Sequence, residues 1–260
     1  MQPQAPLTLW GVYAAWRRNA RVYQSTWLVN SLPPLSEPLI YLVAFGFGLT
    51  PLVGQITYNG QEVAYLRFLA PGMMAVGILF QSYGEGAYAS YIRLSYQRTW
   101  HAILTTPLTF SEVFAGELLW AATKGVIAGV ATGGVAIAWG LLSFPYLLLS
   151  LPLILLGSLL FGAAGLLTAG LVRTIDQVNV PLFLAVVPMF TLCGTYFPRT
   201  TLPTPLNEIA SALPLAALAD LLRWPLGLPS HWVWSLGWLL LWAVVCIVLA
   251  WRSIYPRLFR

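Results

Sequence analysis

Four charged residues fall inside stretches of this sequence that are otherwise long and apolar: Glu37, Glu85, Glu117 and Lys124. At a membrane centre each costs roughly 2.5–3.5 kcal/mol on insertion scales, so such groups face protein or a wet cavity. Glu117 and Lys124 are seven residues apart, on one helix face but two turns distant, too far for direct pairing along that helix. A pair across helices, Lys124 with Glu37 or Glu85, is the expectation. Two roles stay open for these groups: a polar track for a substrate headgroup, or glue between helices.

Other chemistry is scarce. His101 and His231 are predicted on opposite sides of a membrane, as are Asp176 and Asp220, so neither pair can form one site. The sequence has no G-x-x-x-x-G-K-[ST] loop to cradle ATP phosphates, no H-E-x-x-H and no Cys-x-x-Cys. Cys193 and Cys246 lie in apolar segments and read as small hydrophobes, without metal-ligand spacing or a disulfide framework. No catalytic residue, metal site or cofactor is expected in this chain, and an enzyme is disfavoured. The one charged pair that a membrane-embedded transferase could use, Asp220 with Arg223, also reads as an interfacial anchor.

The elements that must position these residues follow from composition. The 260 residues are 58% hydrophobic and 8% charged, with mean hydropathy +0.75, where soluble domains carry about 25% charged residues. The bilayer must be part of the solvent. Twelve tryptophans and twelve tyrosines suit two membrane interfaces. The first long apolar run begins near residue 28, too late for a cleavable signal peptide. Six transmembrane helices are predicted near 29–50, 68–90, 115–141, 147–171, 178–195 and 233–252.

The net charge of +5 reads as membrane topology, not as a nucleic-acid surface. With the N-terminus cytoplasmic, Arg17, Arg18, Arg21, Arg93, Arg98, Arg173, Arg252, Arg257 and Arg260 lie inside and only Arg67, Arg199 and Arg223 outside. That bias puts both termini in the cytoplasm. No separate soluble domain is predicted: 1–28 is an interfacial helix, 29–195 holds spans one to five, 196–232 is a re-entrant outward segment, and 233–260 is the sixth span and tail.

Ahead of the first span, Leu9, Tyr13, Trp16, Ala20, Tyr23 and Trp27 form one helical stripe, with Arg18, Arg21 and Ser25 on the far side. Such a helix lies in the headgroup plane or packs on the protein. After the second span, Arg93, Arg98, Trp100 and His101 make a basic, aromatic loop broken at Thr106-Pro107, and Ser111 with Glu112 reads as the next helix start. This loop is either a docking element or an interfacial connector. Between the fifth and sixth spans, Pro198, Pro203 and Pro205 are expected to end the fifth helix, with Gly194 easing the turn. Residues 206–223, punctuated by Pro214, would then dip into the outer leaflet. Gly194, Phe197, Pro198, Pro203 and Pro214 thus form an outward gate or a shielding surface hairpin.

Several stretches, in order, resemble the membrane permeases of ABC-2-type exporters, closest to the NodJ-like branch of nodulation and lipooligosaccharide exporters. They are "EPLIYLVAFGFGL" (37–49), "YLRFLAPGMM" (65–74), "TWHAILTTPLTFSEVFAGELLWAATKG" (99–125), "GTYFPRTTLP" (194–203) and "LPLAALADLLR" (213–223). The resemblance implies an all-α integral membrane protein of six spans. It also implies an amphipathic N-terminal interfacial helix, a cytoplasmic coupling helix between spans two and three, and a re-entrant outward hairpin before span six. It implies a permease dimer, homo- or heteromeric, in the bacterial inner membrane, each half bound to a separate ATPase subunit with a Walker A motif. ATP and Mg would sit on that partner, which would contact the loop around Arg93, Arg98, Trp100, His101, Thr106 and Pro107. The implied activity is outward movement of a lipooligosaccharide, glycolipid or polysaccharide by alternating access. A permease for drugs or small lipophiles is the alternative; a lipid or sugar transferase ranks below it, and a passive channel last.

Overall fold

The computed structural model describes residues 7–228 and 230–259; within the second helix, the side chains at 29–31, 33–35, 37–39 and 42 lie outside that description. In chain order the elements are α1 (Leu9–Ser25), α2 (Trp27–Gly48), β1 (Gln55–Tyr58), β2 (Gln61–Ala64), α3 (Tyr65–Gly84), α4 (Thr99–Leu104), α5 (Phe110–Ala138), α6 (Phe144–Leu171), α7 (Asp176–Leu192), α8 (Thr204–Ala212), α9 (Pro214–Arg223) and α10 (Trp232–Leu258). The chain is mostly helical. By length and composition α5, α6 and α10 can cross a membrane, and α8 with the segment Pro214–Leu226, bent by 81°, makes a fourth candidate or a re-entrant loop.

The expectation of an all-α chain needs correction. β1 and β2 form an antiparallel hairpin in which Tyr58 pairs with Gln61 across Asn59 and Gly60. Both turn residues have positive φ, 47° and 84°, as a type I′ turn requires.

α3, α5, α6, α9 and α10 share the main core, with Leu69, Met74, Leu79, Ile154, Phe161 and Leu218 among its buried side chains. Small residues let these helices approach closely. Where α6 crosses the end of α3, a Cβ on Gly86 or Gly165 would collide with the opposing backbone, the packing mode favoured where lipid gives no hydrophobic drive. The outer faces stay apolar and exposed, as at Leu148, Leu149, Leu241 and Val244.

The bundle has two distinct ends. At one, Phe110 packs edge-on against Trp251 with ring centroids 4.6 Å apart, and Arg257 Nη1 donates to the Ala169 carbonyl at 2.6 Å. α4 and the start of α1 join them there. At the other end gather the hairpin, residues 193–203, and α8 with α9.

α1 meets the bundle through its small residues. Gly11, Val12, Ala15 and Asn19 are its buried residues, and Ala15 meets α5 at Gly116, where a Cβ would strike it. Leu9, Tyr13 and Trp27 of the expected stripe are exposed, while Trp16 and Tyr23 sit edge-on to Trp120. Small side chains make the closest contact because only they permit that approach; Trp16 and Tyr23 flank it, and Leu9, Tyr13 and Trp27 face outward.

Thr109, not Ser111, caps α5. Its side chain accepts from the Glu112 backbone N–H, and Glu112 Oε2 accepts from the Thr109 N–H at 2.8 Å, a reciprocal capping box. The other oxygen of Glu112 accepts from the Thr8 N–H at 3.1 Å and from its hydroxyl. Thr8 in turn caps α1 by accepting from Gly11 N–H. One carboxylate therefore ties two helix starts together.

Candidate functional site

At the α4 end, helical geometry does not stop at Gly84. It widens into π-helical turns at Glu85–Ala89 and Ile92–Tyr96, the kind of bulge often found where a helix carries function. This continuation brings Arg93 back into the bundle. Its side chain leans toward the helix N-terminus, as helical side chains do, and its fork holds two carboxylates. Nη1 donates to Glu85 Oε1 at 2.9 Å and Nη2 to Glu117 Oε2 at 2.7 Å. Trp120 Nε1 also donates to Glu85 Oε1, at 2.9 Å.

Here the predicted pairing is corrected. Glu85 pairs with Arg93, not Lys124. Lys124 is buried, with Nζ 4.3 Å from the centre of the Tyr23 ring. Glu37 lies within α2, and its side chain is outside the described residues. Arg93, expected on a docking surface, is mostly buried in this cluster.

Trp100 is likewise fully buried, packed with Leu94, Phe110, Val113 and Phe114. It anchors α4 by its core-facing side. Arg98, His101, Thr106 and Pro107 remain exposed on the other. Arg98 adopts a left-handed conformation, φ 50°, before the first residue of α4. The Thr106 hydroxyl donates to the Ile103 carbonyl at 2.6 Å, closing the turn. Together they make a small basic elbow on a rigid anchor.

At the far end, the break after α7 comes before the prolines. Gly194, at φ 76°, turns the chain, and a Cβ there would lie 2.6 Å from Arg199 Cγ. Phe197 is partly exposed, Pro198 is buried, Pro203 stands exposed before α8, and Pro214 opens α9. Two carbonyls of this irregular stretch are met by arginines, Gly194 by Arg223 and Cys193 by Arg199 Nη1 at 3.5 Å. Arg223 is 1% exposed; its Nη2 donates to the Gly194 carbonyl at 2.7 Å, and its guanidinium lies 3.7 Å from the Phe68 ring centre. Asp220 joins the pieces: Oδ2 accepts from Arg199 at 2.6 Å, Oδ1 accepts from the Tyr58 hydroxyl at 3.0 Å, and Arg223 Nη1 is 3.7 Å away. Burial, with Asp220 alongside, pushes the Tyr58 phenol up to about 12, so it stays a donor at neutral pH. Gly72 on α3 leaves room for this clasp, since a Cβ there would lie 2.7 Å from the Thr195 carbonyl oxygen.

Sequence reasoning assigned no part in this clasp to Tyr58 or Arg199. The signal for Tyr58 was present: Asn-Gly between short alternating runs is a strong hairpin mark. Neither cluster has the makings of a reaction centre. The carboxylates are bound to guanidinium groups, and no group of three His, Cys, Asp or Glu side chains among the described residues could share a metal ion.

Two ionic clusters at opposite ends of an apolar bundle, with a basic elbow at one end, suit a moving membrane part. The sequence profile of ABC-2 type transporters matches residues 11–227. The chain belongs to this family. It is similar to Nodulation protein J of Rhizobium meliloti, 36% identical over 97% of this chain and 96% of that protein. Nodulation protein J of Bradyrhizobium diazoefficiens is also 36% identical, over 84% of this chain and 82% of its own length. The Inner membrane transport permease YadH of Escherichia coli is 21% identical over 72% of each chain. An ABC-2 type chain is a membrane transport subunit rather than an enzyme, and the family generally works with an ABC ATPase partner. In that context the elbow and the two clusters become the parts to be assigned roles.

Proposed function

We propose that this chain is the permease subunit of an ATP-driven exporter that moves an amphiphilic, glycan-bearing substrate outward across the bacterial inner membrane. The likeness to Nodulation protein J over nearly the whole length supports this reading. α2, α3 with its π-helical extension, and α7 complete a set of six crossings, with both termini in the cytoplasm and the chain acting as one transmembrane domain in a dimer. ATP and Mg bind the partner ATPase, not this chain. That partner docks on the elbow of Arg98, His101, Thr106 and Pro107. The observation that favours this surface is the buried Trp100, which lets a push on α4 reach the cluster of Phe110, Phe114 and α10 without slack. Residues 194–214 act as the outward gate, held shut by the Asp220 clasp. Alternating access then consists of rigid helices tilting between two packed arrangements.

Purification of the tagged chain should recover a soluble protein bearing a phosphate-binding G-x-x-x-x-G-K-[ST] loop. Replacing Arg98 and His101 together by Glu should deplete that protein by about tenfold or more, with membrane insertion unchanged. Undiminished recovery would move the docking surface elsewhere, and a chain that exports with no ATPase present would overturn the reading.

A further inference from the structure

A cavity of about 280 Å³ opens between α1, the π-helical end of α3, and α5. Arg18, Asn19, Tyr23, Arg93, Trp120 and Lys124 line it together with Glu85. Its charge is unbalanced. Arg18, Arg93 and Lys124 bring three positive charges, while the carboxylates within reach are Glu85 and Glu117, both bonded to Arg93. One positive charge is left over. Hydrogen-bond donors are also left over: Asn19 Nδ2 and Arg93 Nε are buried and have no partner among the described residues. Asn19 is only 4% exposed, so its amide nitrogen has no easy recourse to water. A surplus positive charge and unpartnered N–H groups call for a ligand that is anionic and rich in acceptors.

The rim says more about that ligand. Val22 and Thr26 border the cavity; Val22 is 58% exposed, and Trp27, the residue after Thr26 at the α1–α2 corner, is 59% exposed. A site with a cationic floor and an apolar rim matches an amphiphile with a charged head. Basic pockets between membrane helices recognise anionic lipid headgroups by this combination. We propose that the cavity binds the phosphate of an anionic phospholipid, its oxygens accepting from Arg18, Asn19 and Arg93 while its acyl chains run along Val22 and Trp27. The bound lipid would fix α1 against α5 and fill a joint that side chains alone leave underpacked. It is independent of the exported cargo and of the ATPase partner.

The test uses the full chain purified in a neutral detergent and followed by thermal unfolding and native mass spectrometry. Phosphatidylglycerol should raise the unfolding temperature and remain bound, with phosphatidylcholine doing neither, and the effect should weaken as salt rises. Arg18→Gln or Asn19→Ala should weaken phosphatidylglycerol binding by about tenfold, the scale of one hydrogen bond to a charged group. Arg17→Gln, on the exposed face of the same helix, should leave it unchanged. Equal loss from Arg17→Gln would mean general surface attraction and overturn the site. Equal stabilisation by phosphatidylcholine would overturn its charge selectivity, and equal stabilisation by millimolar inorganic phosphate would overturn the lipid in favour of a free anion. Should a cavity variant fail to fold, the wild-type comparison of the two lipids and phosphate still decides.

Discussion

Arg93 holds two carboxylates from two helices on one guanidinium, and all three groups are largely removed from water. Such a cluster contributes little net stability compared with apolar packing, because desolvation offsets most of the attraction. Its removal in part is another matter, since the charge left behind stays buried. Arg93→Gln should cost about 3–5 kcal/mol by leaving Glu85 and Glu117 facing each other. The triple replacement Arg93→Gln, Glu85→Gln, Glu117→Gln should recover most of that loss. Thermal unfolding of the purified chain measures both, and simple additivity of the single losses would show that the three groups do not act as one unit. The sequence marked Glu85 and Glu117 as groups needing partners but chose the wrong cation. A span drawn to end at residue 90 puts Arg93 outside the membrane; the π-helical turns that carry the helix on to Tyr96 have no apolar signature to reveal them.

Among elements, the long ones were legible and the short ones were not. α5, α6 and α10 declare themselves because nothing but a bilayer can accommodate 27 to 29 mostly apolar residues in one helix. The hairpin carries only four residues per strand, so its alternation is brief and the Asn-Gly turn is its chief mark. α1 was read by its aromatic stripe, yet the contact that seats it is made by Gly11, Val12 and Ala15. Likewise the sequence holds a Thr-x-x-Glu box at 109–112, and Ser111 beside the acid offers a competing helix start that the structure does not use. By sequence, α7 ends at the prolines with Gly194 easing the turn; in the structure the helix stops before those prolines, and Gly194 takes the positive φ. That turn gives the element-scale prediction. Gly194→Val forces a β-branched residue to φ 76° and its Cβ onto Arg199, costing on the order of 1–3 kcal/mol and prising Arg199 from Asp220. Export should fall while membrane insertion and subunit association persist. Wild-type export by this variant would reduce residues 194–214 to a shield.

Across the whole molecule, charge and burial together favour the proposed orientation. Of the basic residues assigned outward, Arg199 and Arg223 are spent on the Asp220 clasp, and Arg67 alone is exposed at that end among the described residues. At the other end Arg17, Arg21, Arg98, Arg173 and Arg252 are all exposed. Arg93 drops out of the inward tally, yet the bias among solvent-facing charges grows, and free charge is what the cytoplasmic leaflet and the insertion machinery sense. The two ends can be tested in intact cells. Cys193 and Cys246 are free and buried, so Cys193→Ala with Cys246→Ala gives a silent background. In it, Glu62→Cys on the hairpin should react with a membrane-impermeant maleimide added outside. Thr105→Cys at the elbow should react only after the membrane is opened. The reverse pattern would turn the molecule over, and with it the docking surface and the gate. Labelling of both from outside would mean that the α3–α5 connection does not return to the cytoplasm, which would end the six-crossing arrangement.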